Sequence, residues 1–409
     1  MSLKNINHEQ AAAQLTDKQI SQIVFLAPVI RMICAAEDKP AAVFAFCDKK
    51  LLHGETLPKS RFLKIKSGDA VRATLSGHIR SYNRFPNIIT VDDLCAFAAA
   101  PCMEGAGLAL SLALSGASAD EEWVGVDASA PTNTGARLKG KVIFITGAAQ
   151  GFGLEIALSL AEHGAYIVAS DINYEGAKAA AAKICQRHGQ FSATALRMDV
   201  TCENEVREAI NKAVCMYGGL DVFVSNAGIL RSSALDEFTL EDFSAVTEVN
   251  YTGYFLCTKY ASAVMKLQNS ICPDYRTDII QINSKSGLTG SNKNCAYAGS
   301  KFGSIGLTQS FAMELAEFGI KVNAICPGNY LAGPLWMDPE SGLFTQYLRS
   351  NKVKGASTVE DLIAFYNTKV PLNRSCEASD VVKAVLYLIE QSYETGQALP
   401  VTGGQIMLH

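Results

Sequence analysis

The chain has 409 residues and a formal net charge of −4, with 48% apolar and 19% charged residues. That is a globular composition, long enough for two domains or one elaborated domain. The mild acidity excludes a general affinity for nucleic acid or anionic membrane surfaces and leaves small solutes as the expected partners.

The start, MSLKNINHEQ, is polar, and the apolar stretch from Ile23 to Ile33 is short and holds Arg31. Neither a signal peptide nor a membrane span is expected, and the compartment reads as the cytoplasm. Asp17 to Ala36 has helical apolar spacing at Ile20, Ile23, Val24 and Ala27, with Asp17 as the expected N-cap and Pro28 as an interruption. Lys59, Arg61, Lys64, Lys66 and Arg72 form a basic run, expected to be a solvated face. Twelve cysteines are scattered without a C-x-x-C pair and read as reduced core residues. His8, His53 and His78 are not paired at ligand spacing, so no metal is expected here. Between Ser118 and Arg137 acids, Pro, Gly, Thr and Asn gather without apolar periodicity, as in a linker. The chain therefore divides into a smaller N-terminal α/β region, residues 1–136, and a larger unit, residues 137–409.

From Lys141 onward, short β-branched runs alternate with alanine-rich helical patterns. This predicts a Rossmann-type, doubly wound α/β fold with seven parallel strands. The first strand, KVIFIT, runs through Thr146 into the glycine turn GAAQGFG. There Gly147 permits a sharp turn, while Gly151 and Gly153 let backbone N–H groups beside Gln150 and Phe152 approach a pyrophosphate. Asp171 ends the second strand, where a carboxylate accepts from the adenosine ribose hydroxyls and repels a 2′-phosphate. Ile172 and Asn173 beyond it offer no cation. NAD is thus expected over NADP. Asp199 and Val200, ending the third strand, suit the adenine edge, and Asn226, Ala227 and Gly228 after the fourth suit the cofactor path. Tyr297 and Lys301 lie one helical turn apart in AYAGSKFGSIGLTQSFAMELAEF, so they share a helix face, and an ammonium there would draw the phenol toward the working range.

Four motifs then stand in a known order: TGAAQGFG, SNAG, NSKSG followed by YAGSK, and CPG at Cys326 to Gly328. In these the chain from Arg137 to His409 resembles the short-chain dehydrogenase/reductases. The resemblance implies that Tyr297 is the acid/base, that Ser284 holds the reacting oxygen, and that Lys301 bonds the nicotinamide ribose. It implies that Asn250, in EVNYTGYFLC, positions a water relaying protons to Lys301. It adds Pro327, Gly328 and Asn329 to the cofactor contacts and implies a homodimer or homotetramer.

Within that family, IIQINSKSGLTGS, GLTQSFAMELAEFGI, PGNYLAGPLW and VTGGQ look like sorbitol-6-phosphate dehydrogenases. That implies interconversion of a sugar-alcohol phosphate and a ketose phosphate. A phosphate needs cations beyond the strand ends, and Lys285, Lys293 and Arg231 are the candidates. PNIITVDDLCAFAAAP with GLALSLAL is similar to the end of class II aldolase domains. Without a histidine cluster, packing or oligomerisation is its expected role, and its removal is expected to leave the downstream fold with its own core. Two alternatives stand: a dehydrogenase of an unphosphorylated polyol or small hydroxyaldehyde, and a catalytically silent NAD-binding regulator.

Overall fold

The structure, a computed structural model, describes residues 15–35, 41–46, 57–66, 70–92, 95–117, 123, 125–126, 136–340 and 342–408. Helix α1 (Asp17–Ile33) begins at a capping box one residue before the expected cap. Thr16 Oγ1 accepts from Gln19 N at 3.4 Å, and Gln19 Oε1 accepts from Thr16 N at 2.9 Å. Asp17 instead sits in the first turn, where its charge suits the helix dipole. Pro28 does not interrupt the helix, which runs on to Ile33. Ile23, Ala27, Ile30 and Arg31 are buried around it, and tertiary burial outweighs one lost backbone bond.

A four-stranded sheet follows, in the order β1 (Ala42–Phe46), β4 (Cys95–Ala100), β3 (Ile88–Val91), β2 (Phe62–Ile65), with helices α2 (Val71–Tyr82) and α3 (Met103–Ser115). Lys59, Lys64, Lys66 and Arg72 are exposed as expected of a basic face. Arg61 departs from them: it is buried, and its Nη1 donates to Asn87 Oδ1 at 2.9 Å. His78 lies buried with Nε2 3.0 Å from Ser60 O, whereas His8 and His53 fall outside the described residues. Most of residues 118–135 also fall outside them. Trp123 and Val126, within that linker-like stretch, are fully buried.

Residues 142–401 form the second sheet, with seven strands all parallel. They are β5 (Val142–Thr146), β6 (Tyr166–Asp171), β7 (Ala193–Arg197), β8 (Val222–Ser225), β9 (Thr277–Ile282), β10 (Ile320–Pro327) and β11 (Ala398–Val401). The spatial order is β11-β10-β9-β8-β5-β6-β7, so the winding reverses between β5 and β8. Helices α4 (Gly151–Glu162), α5 (Tyr174–His188) and α13 (Ala378–Glu390) bury apolar stripes on one face; Val381, Val385, Leu388 and Ile389 are the α13 stripe. Helices α6 (Glu203–Tyr217), α8 (Gly253–Ile271) and α9 (Cys295–Leu315) cover the other face, with α7 (Leu240–Thr247) leading into α8. A lobe of α10 (Pro334–Met337), α11 (Leu343–Arg349) and α12 (Val359–Thr368) packs on its own cluster around Trp336, Phe344, Tyr347 and Leu362.

The two sheets share one apolar core. Ile23, Ala27, Ile30 and Val43 belong to the same buried cluster as Val206, Ile210, Tyr217, Cys257 and Met265 on α6 and α8. The contact lies at the amino ends of the parallel strands. Arg31 donates to both oxygens of Asp221, just before β8, at 2.9 and 2.6 Å, and to Gly140 O, just before β5, at 3.1 Å. Met103 N donates to the hydroxyl of Tyr166, the first residue of β6, at 2.9 Å. The N-terminal region therefore closes the end of the sheet opposite the strand carboxyl ends, and the downstream core is not independent of it.

Candidate active site

At the carboxyl ends of the strands, around the β5/β8 reversal, lies a cleft of about 760 Å³. Every described residue that lines it comes from position 147 or beyond. Gly147, Gln150, Gly151 and Phe152 form its floor at the α4 N-terminus. Gly147 (φ 66°) and Gly151 (φ 59°) use the left-handed backbone that side chains disfavour. At Gly153 a Cβ would lie 2.1 Å from Gly147 O, so this buried glycine lets helix and strand close on each other. Thr146 stands behind the lining and ties the turn to the next strand. Its Oγ1 accepts from Asn226 N (2.9 Å) and Ala227 N (3.0 Å), while Asn226 Nδ2 donates to Thr146 O and Gly147 O.

Asp171 is oriented by two backbone donors, Ala149 N at 3.0 Å and Asn173 N at 2.8 Å, and lines the cleft with Ile172. Asp199 Oδ1 accepts from Thr201 N and Oγ1 at 2.9 and 2.7 Å, and Val200 lies beside it in the lining. Ala227, Gly228, Pro327, Gly328 and Asn329 complete the wall. Asn329 Nδ2 is buried without a partner among the described residues. An unsatisfied amide donor in the same cleft as a glycine turn that leaves no room for a Cβ at Gly147 or Gly153 suits a ligand rich in phosphate oxygens and carbonyls, so the residues fit a dinucleotide.

Ser284, at the end of β9, and Tyr297 and Lys301, on α9, meet in the same cleft. Ser284 Oγ accepts from Ser286 N at 3.1 Å, and its hydroxyl faces the Tyr297 phenol closely enough to favour the phenolate. Lys301 is buried, donates to Ile282 O at 3.0 Å, and lies 5.6 Å from the Tyr297 ring centroid. Burial pushes its ammonium down to about 8. Burial also raises the Tyr297 phenol, against the lowering by Ser284. In this geometry the shift expected from Lys301 does not appear: desolvation dominates, and the one lowering influence on Tyr297 is Ser284. Asn250 stands behind the lining on a π-helical turn, Glu248–Thr252, that joins α7 to α8. It exchanges two 2.9 Å hydrogen bonds with the Ile229 backbone and donates to Ser300 Oγ at 3.2 Å. A Cβ on Gly228 would lie 3.3 Å from Asn250 Oδ1 and 3.8 Å from Lys301 Nζ, so the two side chains flank one small space.

The three expected cations part company. Lys285 lines the cleft, half-buried and lowered by burial. Arg231 also lines it but sits 3.5 Å from the Asp242 carboxylate and is half-exposed, so its charge already has a partner. Lys293 falls outside the lining and donates to Ser350 O at 3.2 Å. A cation without a motif takes a place instead: Lys352, brought in by the lobe beside Tyr347, Tyr366 and Trp336. Nothing near NKVKG in the sequence marks it, because the lobe is folded back by its own aromatic cluster.

Residues 141–338 match the short chain dehydrogenase family. The chain is 35% identical over 269 residues to the sorbitol-6-phosphate 2-dehydrogenase of Escherichia coli K12, covering 65% of this chain and 99% of that protein. It is 35% identical over 275 residues to the secoisolariciresinol dehydrogenase of Forsythia intermedia, covering 66% and 90%. Among solved structures, the sorbitol-6-phosphate 2-dehydrogenase of Erwinia amylovora superposes with a TM-score of 0.60 at 34% identity, over 65% of this chain and 100% of that one.

Proposed function

The chain belongs to the short-chain dehydrogenase/reductase family, an oxidoreductase family acting on CH–OH groups with nicotinamide cofactors, and from that premise we propose an NAD-dependent sugar-alcohol phosphate dehydrogenase. In this reading it interconverts a polyol phosphate of the sorbitol 6-phosphate type with the corresponding ketose phosphate. The observation that carries the reading is the convergence of Ser284, Tyr297 and Lys301 in a cleft floored by the glycine turn. A silent regulator would have no need of that set.

When bound, the nicotinamide supplies the hydride acceptor or donor. The chain's own residues do the rest. Ser284 holds the substrate oxygen, and the Tyr297 oxygen takes its proton as phenolate in oxidation and returns it as phenol in reduction. Lys301 bonds the ribose and keeps positive charge near the phenol. Asn250, fixed by the Ile229 backbone, links Lys301 to solvent through a water. Gly147, Gln150, Gly151 and Phe152 hold the pyrophosphate, with Thr146 and Gly153 shaping the turn. Asp171 and Ile172 hold the adenosine ribose, Asp199 and Val200 the adenine, and Asn226 to Gly228 with Pro327 to Asn329 the nicotinamide half. The carboxylate of Asp171, already aimed by two backbone donors, supports NAD over NADP. The same reading takes residues 1–136 as an aldolase-like remnant with a packing role, joined at residue 136 to the dehydrogenase unit, and the assembly as a homodimer or homotetramer.

An unphosphorylated alcohol is the second reading, favoured by Trp336, Tyr347 and Tyr366 in the lining. Following NADH absorbance with polyols and their phosphates separates the two. The expected result is turnover of the phosphate ester and a kcat/KM for NAD at least about tenfold above NADP, the equivalent of about 1.4 kcal/mol. Equal use of NADP would remove Asp171 from the ribose, and preference for the free polyol would remove the phosphate.

A further inference from the structure

A lysine in a folded protein is normally solvated or paired with a carboxylate, because an ammonium taken from water without a partner loses hydration that nothing replaces. Lys285, Lys293 and Lys352 break this pattern together. They come from three separate segments: the turn after β9, the loop before α9 and the lobe after α11. All three are half-buried. None pairs with a carboxylate among the described residues.

The fold holds this crowding in place. Lys293 has a left-handed backbone, φ 60°, which a side chain disfavours. Ser233 N at 3.1 Å and Ser232 Oγ at 3.0 Å fix it by donating to its carbonyl, while its ammonium is anchored on Ser350 O. The Lys352 ammonium lies 4.0 Å over the Tyr347 ring. Buried Asn294, with its amide turned to satisfy both ends, accepts from Lys352 Nζ at 3.3 Å and donates to Ser232 Oγ at 2.9 Å. Burial and the charges of Lys285 and Lys293 push Lys352 down to about 8. Three like charges are held close by bonds that do not neutralise them, which leaves a deficit of negative charge inside the cleft.

We propose that Lys352 and Lys285, with Lys293 adding charge from outside the lining, form an anion subsite for the phosphate monoester of the substrate, and that Lys352 sets the preference for phosphorylated over free polyols. A phosphate dianion is the ligand that answers several cations at once. Lys285 directly follows Ser284, so a phosphate there tethers one end of the polyol while its carbinol reaches Ser284 and Tyr297. The inference rests on the polyol-phosphate reading for its substrate, and the experiment separates the two.

The holoenzyme with NAD is assayed on sorbitol 6-phosphate and on sorbitol, with inorganic phosphate titrated as inhibitor. Wild type, Lys352→Met, Lys352→Arg and the exposed neighbour Lys354→Met are compared. The expected result is that Lys352→Met raises KM for sorbitol 6-phosphate about tenfold or more with kcat little changed, in line with loss of a charged hydrogen bond. Its selectivity for the phosphate ester and its inhibition by inorganic phosphate fall together. Lys352→Arg keeps most of both, and Lys354→Met keeps wild-type selectivity. If the wild type prefers sorbitol 6-phosphate while Lys352→Met keeps its KM and its phosphate inhibition, or loses equally on both polyols, the subsite falls and the functional reading stands. If the wild type oxidises only unphosphorylated alcohols, the functional reading falls and with it Lys352 as selector of phosphate esters, while relief of phosphate competition by Lys352→Met would keep the three lysines as an anion site.

Discussion

At the scale of single residues, the phenol of Tyr297 shows how two electrostatic effects of opposite sign meet. Burial raises it, and the Ser284 hydroxyl lowers it. A buried phenol that keeps its proton is suited to donate in carbonyl reduction, and a positive field must grow for it to accept one in oxidation. Tyr297→Phe removes the proton-transfer hydroxyl and little else. Turnover should fall about a hundredfold or more while NADH affinity, read by fluorescence titration, stays within about twofold. More than a tenth of wild-type kcat would take the acid/base role away from Tyr297.

Lys352 makes a second residue-scale prediction, for pH. Its neighbours are the ammonium groups of Lys285 and Lys293, the carbonyl of Asn294 and the ring of Tyr347, whose own phenol is pushed up to about 12 and so does not titrate in the same range. Below about pH 8 Lys352 is protonated and ready for an anion. Above it, binding a dianion requires proton uptake, so KM for a polyol phosphate should rise with pH, by up to about tenfold per unit. Lys301 also titrates near 8, but it acts on both substrates. The ratio of kcat/KM for phosphorylated over free polyol separates the phosphate subsite from Lys301, and its loss of pH dependence in Lys352→Met assigns it to Lys352 rather than Lys285. A ratio flat from pH 7 to about 10 would exclude Lys352 from phosphate binding.

At the scale of elements, the glycine turn and the π-helical turn do different work. Gly153 is the point where α4 and β5 touch, and an added Cβ would meet Gly147 O at 2.1 Å and Asn226 Nδ2 at 2.6 Å. Both belong to the floor and wall of the cleft, so the clash has nowhere to relax except into the glycine turn. Gly153→Ala should cost about 1–3 kcal/mol of overpacking, read as about tenfold or more loss of NADH affinity together with a lower Tm. Unchanged NADH affinity would show that the turn is not the pyrophosphate cradle. The π-helical turn at Glu248–Thr252 carries Asn250 against the Ile229 backbone. An inserted residue of this kind redirects a side chain without breaking the helix.

At the scale of the whole molecule, the N-terminal region is part of the dehydrogenase core. Arg31 and Asp221 are both fully buried, with Val142 N (2.6 Å), Tyr275 OH (2.8 Å) and Gln268 Nε2 (3.3 Å) also donating to the Asp221 carboxylate. Burial opposes the charge on Asp221, yet Arg31, Lys141 and the Val142 amide hold its carboxyl below the ordinary range. Removing Arg31 leaves that charge buried and without its cation. Arg31→Met should therefore lower stability by about 3–5 kcal/mol in a denaturant titration. A fragment of residues 137–409 should misfold or aggregate, since it exposes the apolar faces of α6 and α8 that Ile23, Ile30 and Val43 cover. A fragment with native circular dichroism and full activity would restore the view of an independent downstream core.

The sequence by itself determined the seven-strand alternation, the glycine turn, Asp171 and the Ser284, Tyr297 and Lys301 set. These signals are local: a strand of buried β-branched residues, a turn that only glycine can make, and two side chains one helical turn apart are written within a few positions of one another. Tertiary structure alone decided five other matters. Pro28 stays inside a helix because burial around it outweighs the missing bond. Arg61 leaves its basic run for the interior because Asn87 is there to receive it. The linker-like stretch contributes Trp123 to the core. Arg231 is claimed by Asp242, while Lys352, some fifty-five residues beyond Tyr297, enters the cleft on a lobe whose position depends on Trp336, Phe344 and Tyr347 packing together. Each depends on a partner distant in the chain, and no periodicity or spacing records where such a partner will fall.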